Sequence, residues 1–165
     1  MNPQRRQRWA TVLVAALAAI AVAGAGAQLT DVGPWYAQLR QPPWKPSDWL
    51  FGPVWTAIFA LTAAAGVLAW EAALGRGARR WLVGAFALNG LLNMSWSLLF
   101  FRLRRPDWAL IEVAFLWLSI VLLIVLCAAQ SRRAGWLLLP YLAWVTFAAV
   151  LNFAVVRLNG PFGRP

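Results

Sequence analysis

Trp49-Leu50-Phe51-Gly52-Pro53-Val54-Trp55-Thr56-Ala57-Ile58-Phe59-Ala60-Leu61-Thr62-Ala63-Ala64-Ala65-Gly66-Val67-Leu68-Ala69-Trp70 contains no charged residue. A helix of this length, at ~1.5 Å per residue, crosses a bilayer core of ~30 Å. Four other stretches share the property: Trp9–Thr30, Trp81–Phe101, Val113–Ser131 and Ala134–Val156. With their flanking residues the spans read 9–30, 49–72, 81–101, 108–130 and 134–157, and residues 31–48 form the first connection. The fold class is therefore all-α integral membrane, a five-transmembrane-helix bundle, and residues 1–165 form a single domain.

The composition agrees. Of 165 residues, 62% are hydrophobic and 12% charged, more apolar surface than a soluble domain of this size can hide. Fifteen Lys and Arg against five Asp and Glu leave a net charge of +10. The cations fall in small clusters between apolar runs: Arg5/Arg6/Arg8, Arg76/Arg79/Arg80, Arg102/Arg104/Arg105 and Arg132/Arg133. So distributed, they flank spans and meet lipid phosphates; a single basic stripe for nucleic acid is absent from the sequence. The partners expected are membrane lipid and no nucleic acid. The first span has a basic start and small residues near Ala23–Ala27, as signal peptides do, but its apolar part is longer, and it reads as a retained first helix.

The chain has no histidine and one cysteine, Cys127, inside an apolar run. Ser-His and Cys-His nucleophilic chemistry is excluded, and so is any disulfide framework or multi-cysteine metal site. No metal site and no obligatory cofactor is expected.

Three connections are short (Glu71–Arg80, Arg102–Asp107, Gln130–Ala134), so the helices they join should be antiparallel neighbours. The first connection is long and holds Pro34, Pro42, Pro43 and Pro46 with Trp35, Tyr36 and Trp44. Prolines stiffen it, and its aromatics either form a lid over a site or anchor the chain at the interface. Eight cations lie on the N-terminal side and seven, with Arg164 among them, on the other, a balance that leaves orientation open.

Inside the spans, Asn89 and Asn93 share one helix face with Trp96 a turn further on. Thr146 and Asn152 accompany Tyr141 and Trp144 in the last span. Asparagine between membrane helices reads first as interhelical glue, and alternatively as a lining for a site. Glu112 reads as an interfacial carboxylate paired with Arg104 or Arg105, or as a proton-relay group. Ala15, Ala19, Ala23 and Ala27 make a small-residue ridge, which serves close helix approach or leaves room for a flat ligand. Of twelve tryptophans, Trp55, Trp96, Trp117 and Trp144 lie within spans, where an aromatic belt does not account for them. They read as packing, or as walls of a cavity for a planar apolar molecule.

The first loop, Trp35-Tyr36-Ala37-Gln38-Leu39-Arg40-Gln41-Pro42-Pro43-Trp44-Lys45-Pro46, with Trp49 and Gly52-Pro53-Val54-Trp55-Thr56, closely resembles the TspO/MBR family. These are the tryptophan-rich sensory proteins and mitochondrial translocator proteins. The resemblance continues through Asn93, Trp96, Phe100-Phe101, Trp108-Ala109-Leu110, Pro140-Tyr141-Leu142-Ala143-Trp144 and Leu151-Asn152-Phe153. It implies five transmembrane helices, a homodimer, and binding of porphyrins such as protoporphyrin IX or other flat hydrophobic molecules under the first loop. By motif, the implied pocket residues are Ala25, Trp44, Phe51, Gly52, Val54, Trp55, Trp96, Trp108, Ile111, Phe115, Trp144, Ala148 and Leu151. The lid residues Trp35 and Tyr36 and the polar residues Asn93 and Asn152 complete the expected ligand site.

The family also implies an alternative, light-dependent porphyrin breakdown, for which the matching residues are Trp55 and Trp144. A transporter of porphyrin or another hydrophobic metabolite is the remaining reading. The family's proposed cholesterol motif needs a tyrosine where this chain has Phe153, between Leu151 and Arg157. The resemblance thus implies a bacterial rather than a mitochondrial membrane.

Overall fold

The computed structural model describes residues 2–162; Arg164, counted among the cations above, lies outside them. Helix α1 (Pro3–Leu29) is the first span, and α2 (Pro34–Gln38) is a short helix within the first connection. A 3₁₀ turn (Asp48–Leu50) leads into α3 (Phe51–Ala72). Then come α4 (Arg76–Ser97), α5 (Pro106–Gln130), α6 (Arg132–Leu137) and α7 (Leu139–Asn159). Among the described residues, five spans are long and apolar enough to cross a membrane: Arg5–Leu29, Asp48–Ala72, Arg76–Arg102, Pro106–Gln130 and Arg132–Asn159.

The helices close a ring. α1 packs on α3 and α4, α4 on α5, α5 on α6 and α7, and α6 returns to α3. Each short connection joins helices that touch, and Gly75, at φ +92°, makes the turn from α3 to α4 in a conformation that favours glycine.

Two departures from regular helix have local causes. The fifth span is broken into α6 and α7 at Leu138, because Pro140 lacks the N–H that a continuous helix requires. Leu138 N–H bonds the Gly135 carbonyl in a tightened turn, and the chain restarts at Leu139. The third span ends in a π-turn, Leu98–Arg102, where Leu103 N–H bonds Leu98 O at 2.9 Å. Arg104, at φ 53°, then reverses the chain.

The core is layered along the bundle. At the end holding the α3–α4 and α5–α6 connections, Ala65, Ala69 and Ala73 meet Leu123, Cys127, Ala134 and Leu138 in a tight cluster. The central cluster holds Ile58, Val113, Leu116, Ile120, Tyr141 and Val145. Beneath the first connection, Phe100, Ala109 and Val155 pack with Trp35, Tyr36 and Leu39. A polar network ties the middle of the ring. Asn89 Nδ2 donates to Ser119 Oγ (2.8 Å), Tyr141 Oη to Asn89 Oδ1 (3.2 Å), and Asn93 Nδ2 to Tyr141 Oη (3.1 Å).

Candidate functional site

Between α1 and the rest of the ring lies a cavity of about 1130 Å³, at the upper limit of ordinary small-molecule pockets. One wall is α1. The small-residue ridge Ala15, Ala19, Ala23 and Ala27 faces this space, and Ala60, Ala63 and Ala64 of α3 also line it. Short side chains on both helices are what hold the space open.

The other walls are aromatic. Trp55 stacks on Phe59 (ring centroids 5.4 Å apart) and meets the Tyr141 edge at 6.1 Å. Trp144 meets Phe51 edge-on at 5.4 Å. Trp96 stacks on Phe100 at 5.1 Å and meets the Phe101 edge at 6.0 Å. The π-turn is what delivers Phe100 and Phe101 to the cavity.

The first connection crosses one end. Tyr36, Gln41 and Asp48 line the cavity there. Tyr36 Oη donates to Asp48 Oδ1 (3.2 Å), and Lys45 Nζ also pairs with Asp48. Burial raises the Tyr36 hydroxyl above its ordinary pKa, outweighing the lowering influence of Lys45. Partial desolvation pulls the Lys45 ammonium down, but its bond to Asp48 and the contact with Tyr36 carry it above its ordinary value. The loop is fastened at two further places. Arg40 N–H donates to Asn159 Oδ1 (2.7 Å), while Asn159 Nδ2 donates to the Arg40 carbonyl (2.9 Å). Trp35 rests edge-on against Phe100 at 6.3 Å with the Arg104 guanidinium over its ring.

Of the residues expected at the site, Tyr36, Phe51, Gly52, Trp55, Asn93, Trp96, Trp144, Ala148, Leu151 and Asn152 line this cavity. Trp35 and Trp44 instead brace the loop from outside it, Trp44 against Phe147 at 5.9 Å. Val54 packs into the central cluster, and Ala25 lies on α1 beside the lining positions. Trp108, Ile111 and Phe115 are not brought to the cavity. They are 50%, 65% and 59% exposed on the outer face of α5, whose inner face is Ala109, Val113, Leu116 and Ile120. Arg105 stacks on Trp108 at 4.2 Å, a contact suited to the membrane boundary.

The asparagines at the cavity are occupied with the bundle. Asn152 Nδ2 donates to the Pro106 carbonyl (2.8 Å) and its Oδ1 accepts from Trp96 Nε1 (3.2 Å), fixing the Trp96 ring. Trp117 is a bundle residue also, donating to Thr146 Oγ1 at 2.9 Å. Glu112 differs from its expected pairing. Arg105 binds Asp107 instead, and both Glu112 carboxylate oxygens are buried without a hydrogen-bond partner.

Sequence reasoning missed Gln41, Asp48, Phe59, Phe100 and Phe101 as lining residues. Phe100 and Phe101 were visible only as part of a motif, since apolar residues in a span carry no mark of the face they take. Among the described residues no group of three or more Asp, Glu or Cys is arranged to hold a metal.

The fold and cavity define a multi-pass helical membrane protein built around an apolar, ligand-sized chamber. Residues 10–158 match the model of the TspO/MBR family. The tryptophan-rich protein TspO of Chlorobaculum tepidum is 41% identical, covering 76% of this chain and 79% of the relative. That of Archaeoglobus fulgidus is 39% identical over 87% of this chain and 93% of its own length. The human translocator protein is 34% identical over 76% and 75%. The chain belongs to the TspO/MBR family.

Proposed function

We propose that the protein is a membrane receptor or sensor that binds porphyrins of the protoporphyrin IX type, and other flat hydrophobic molecules, inside the helix ring. The observation carrying this reading is the aromatic lining: Trp55, Trp96, Trp144, Phe51, Phe59 and Phe100 converge on one large apolar space. Indole and phenyl faces suit a planar macrocycle, which buries area against them and stacks in offset or edge-on geometry. At the loop end Tyr36 and Gln41 line the space, with Lys45 beside it on Asp48, and these suit the propionates of a porphyrin lying with its acidic edge outward.

The reading includes a homodimer in a bacterial-type membrane. The outward apolar faces of α1 and α5 are available to lipid or to a second copy. The test is titration of purified protein with protoporphyrin IX in the dark and then under illumination. Saturable fluorescence quenching in the dark supports a receptor. Ligand movement across the liposome bilayer would favour a transporter, and absence of saturable binding would overturn the proposal.

A further inference from the structure

On the opposite membrane face from the loop, α3 ends and α4 begins around a second cavity, an open cleft of about 460 Å³. Its lining is Trp70, Arg76, Arg79, Arg80 and Val83. Positions 76, 79, 80 and 83 follow helical spacing, so one face of α4 presents three cations and an apolar floor. The Arg79 guanidinium lies over the Trp70 ring at 4.9 Å, which orients it, and its Nε is buried with no hydrogen-bond partner.

The charges here are unbalanced. Among the described residues no carboxylate pairs with Arg76, Arg79 or Arg80. Glu71, the acid nearest in the chain, is held by Arg8 at 3.1 Å. On the loop face Lys45 and Arg105 each have a carboxylate partner, and the cations there that lack one do not share a cleft with a second arginine as Arg76, Arg79 and Arg80 do. The first turn of α4 contains no acidic residue and its cap, Gly75, offers no side-chain acceptor, so unpaired backbone N–H groups add to the positive end.

We propose that this cleft is a binding site for a phosphate anion, either the headgroup phosphate of an acidic phospholipid or free phosphate. A guanidinium fixed by stacking, with two more on the same face, matches a phosphate's several acceptor oxygens. The cleft sits where the second span ends and the third begins, at headgroup depth, with Trp70 and Val83 beside it for the glycerol and upper acyl chain. This placement favours the lipid source. The site is separate from the central cavity and independent of what that cavity binds.

The test is native mass spectrometry of the full chain in a neutral detergent, titrated with phosphatidylglycerol, with phosphatidylcholine, and with inorganic phosphate as competitor. Each arginine near an anionic headgroup is worth about fivefold in affinity, and three on the order of a hundredfold. Phosphatidylglycerol should be retained well above phosphatidylcholine. The triple variant Arg76→Gln/Arg79→Gln/Arg80→Gln should reduce it to the phosphatidylcholine level, and the single variant Arg79→Gln should lose a several-fold share. Phosphatidylglycerol adducts that persist against millimolar phosphate identify a lipid site, and adducts displaced by it identify a site for free phosphate. Equal retention of the two lipids overturns the proposal, as does unchanged phosphatidylglycerol retention in both the single and triple variants.

Discussion

The two tryptophans that matter most at the residue scale, Trp55 and Trp144, have different surroundings. Trp55 is clamped between Phe59 and Tyr141, whereas Trp144 leans on Phe51 and Phe147 with its Nε1 buried and unpartnered. An aromatic contact is worth ~0.5–1.5 kcal/mol beyond area burial, and phenylalanine keeps most of it. On the proposed reading, Trp55→Phe and Trp144→Phe should therefore weaken dark porphyrin binding only modestly, by about threefold at most. Any light-dependent bleaching that needs indole as electron donor should disappear, because phenylalanine is far harder to oxidise. Bleaching at the wild-type rate in both variants would assign the reaction to the porphyrin alone. The aromatic residues within spans were legible because belts do not account for them. Their partners were not: the roles of Trp117 and Trp96 depend on Thr146 and Asn152, each on another helix. Glu112 illustrates the same limit. Its neighbourhood in sequence offered Arg104 and Arg105, but the nearer Asp107 takes Arg105, and helical rotation turns Glu112 inward.

At the scale of elements, two contacts are open to test: the close packing of α5 on α6, at the end of the bundle away from the cavity, and the fastening of the first loop across the cavity's other end. A Cβ on Gly135 would lie 2.7 Å from Ala128 Cβ and 3.2 Å from its Cα, so Gly135→Ala must push the helices apart. Overpacking of this kind costs ~1–3 kcal/mol, measurable as a lower thermal midpoint in detergent. A midpoint equal to wild type would mean that α6 shifts freely. For the loop, Asn159→Ala removes both bonds to the Arg40 backbone and leaves two main-chain groups to water. Ligand dissociation should then be faster by about tenfold, on the basis of ~0.5–1.5 kcal/mol per bond, with helix content unchanged by circular dichroism. An unchanged off-rate would reduce the loop to an interfacial anchor. The Lys45–Asp48 pair adds a pH dependence. Because the Lys45 pKa is raised in the folded protein, its contribution is complete below the ordinary lysine range and is lost as pH rises through the raised value. Loop closure, followed by ligand off-rate, should thus hold through neutral pH and weaken only in strong alkali. The spans themselves were readable from charge-free length alone. The break at Leu138 and the π-turn at Leu98–Arg102 were not read, although Pro140 was in plain view, because apolar length does not register the backbone bonds a proline removes.

The whole molecule is a ring whose inner and outer faces are both apolar, and this explains why part of the site escaped the sequence. In a soluble bundle the polar side of each helix marks the outside. In lipid no such mark exists, so hydropathy could not check the motif-based placing of Trp108, Ile111 and Phe115 of α5 against Ala109, Val113 and Leu116 on its inner face. Only polar positions break the tie, and Asn89, Asn93, Ser119 and Asn152 do lie inside, whereas Thr146 stays exposed. On the proposed porphyrin reading, the lining of the chamber decides which parts of the ligand it can recognise. The sequence has no histidine, which leaves weaker candidates such as Cys127, Tyr36 and Tyr141 as iron ligands, and Met94 does not line the cavity. Cys127 is sealed in the cluster with Ala134 and Leu138, away from the cavity. Tyr141 is buried, with its hydroxyl shared between Asn89 and Asn93. Tyr36 reaches the cavity, but its hydroxyl is engaged with Asp48 at the loop end, where the polar edge of a macrocycle, not its centre, would lie. On that reading affinity comes from the flat face and the propionates. Metal-free protoporphyrin IX should bind about as tightly as haem, and bound haem should keep the spectrum of an iron without a protein axial ligand. A pronounced preference for haem, accompanied by the absorbance of a protein-ligated iron, would show that a side chain leaves its present surroundings to reach the metal.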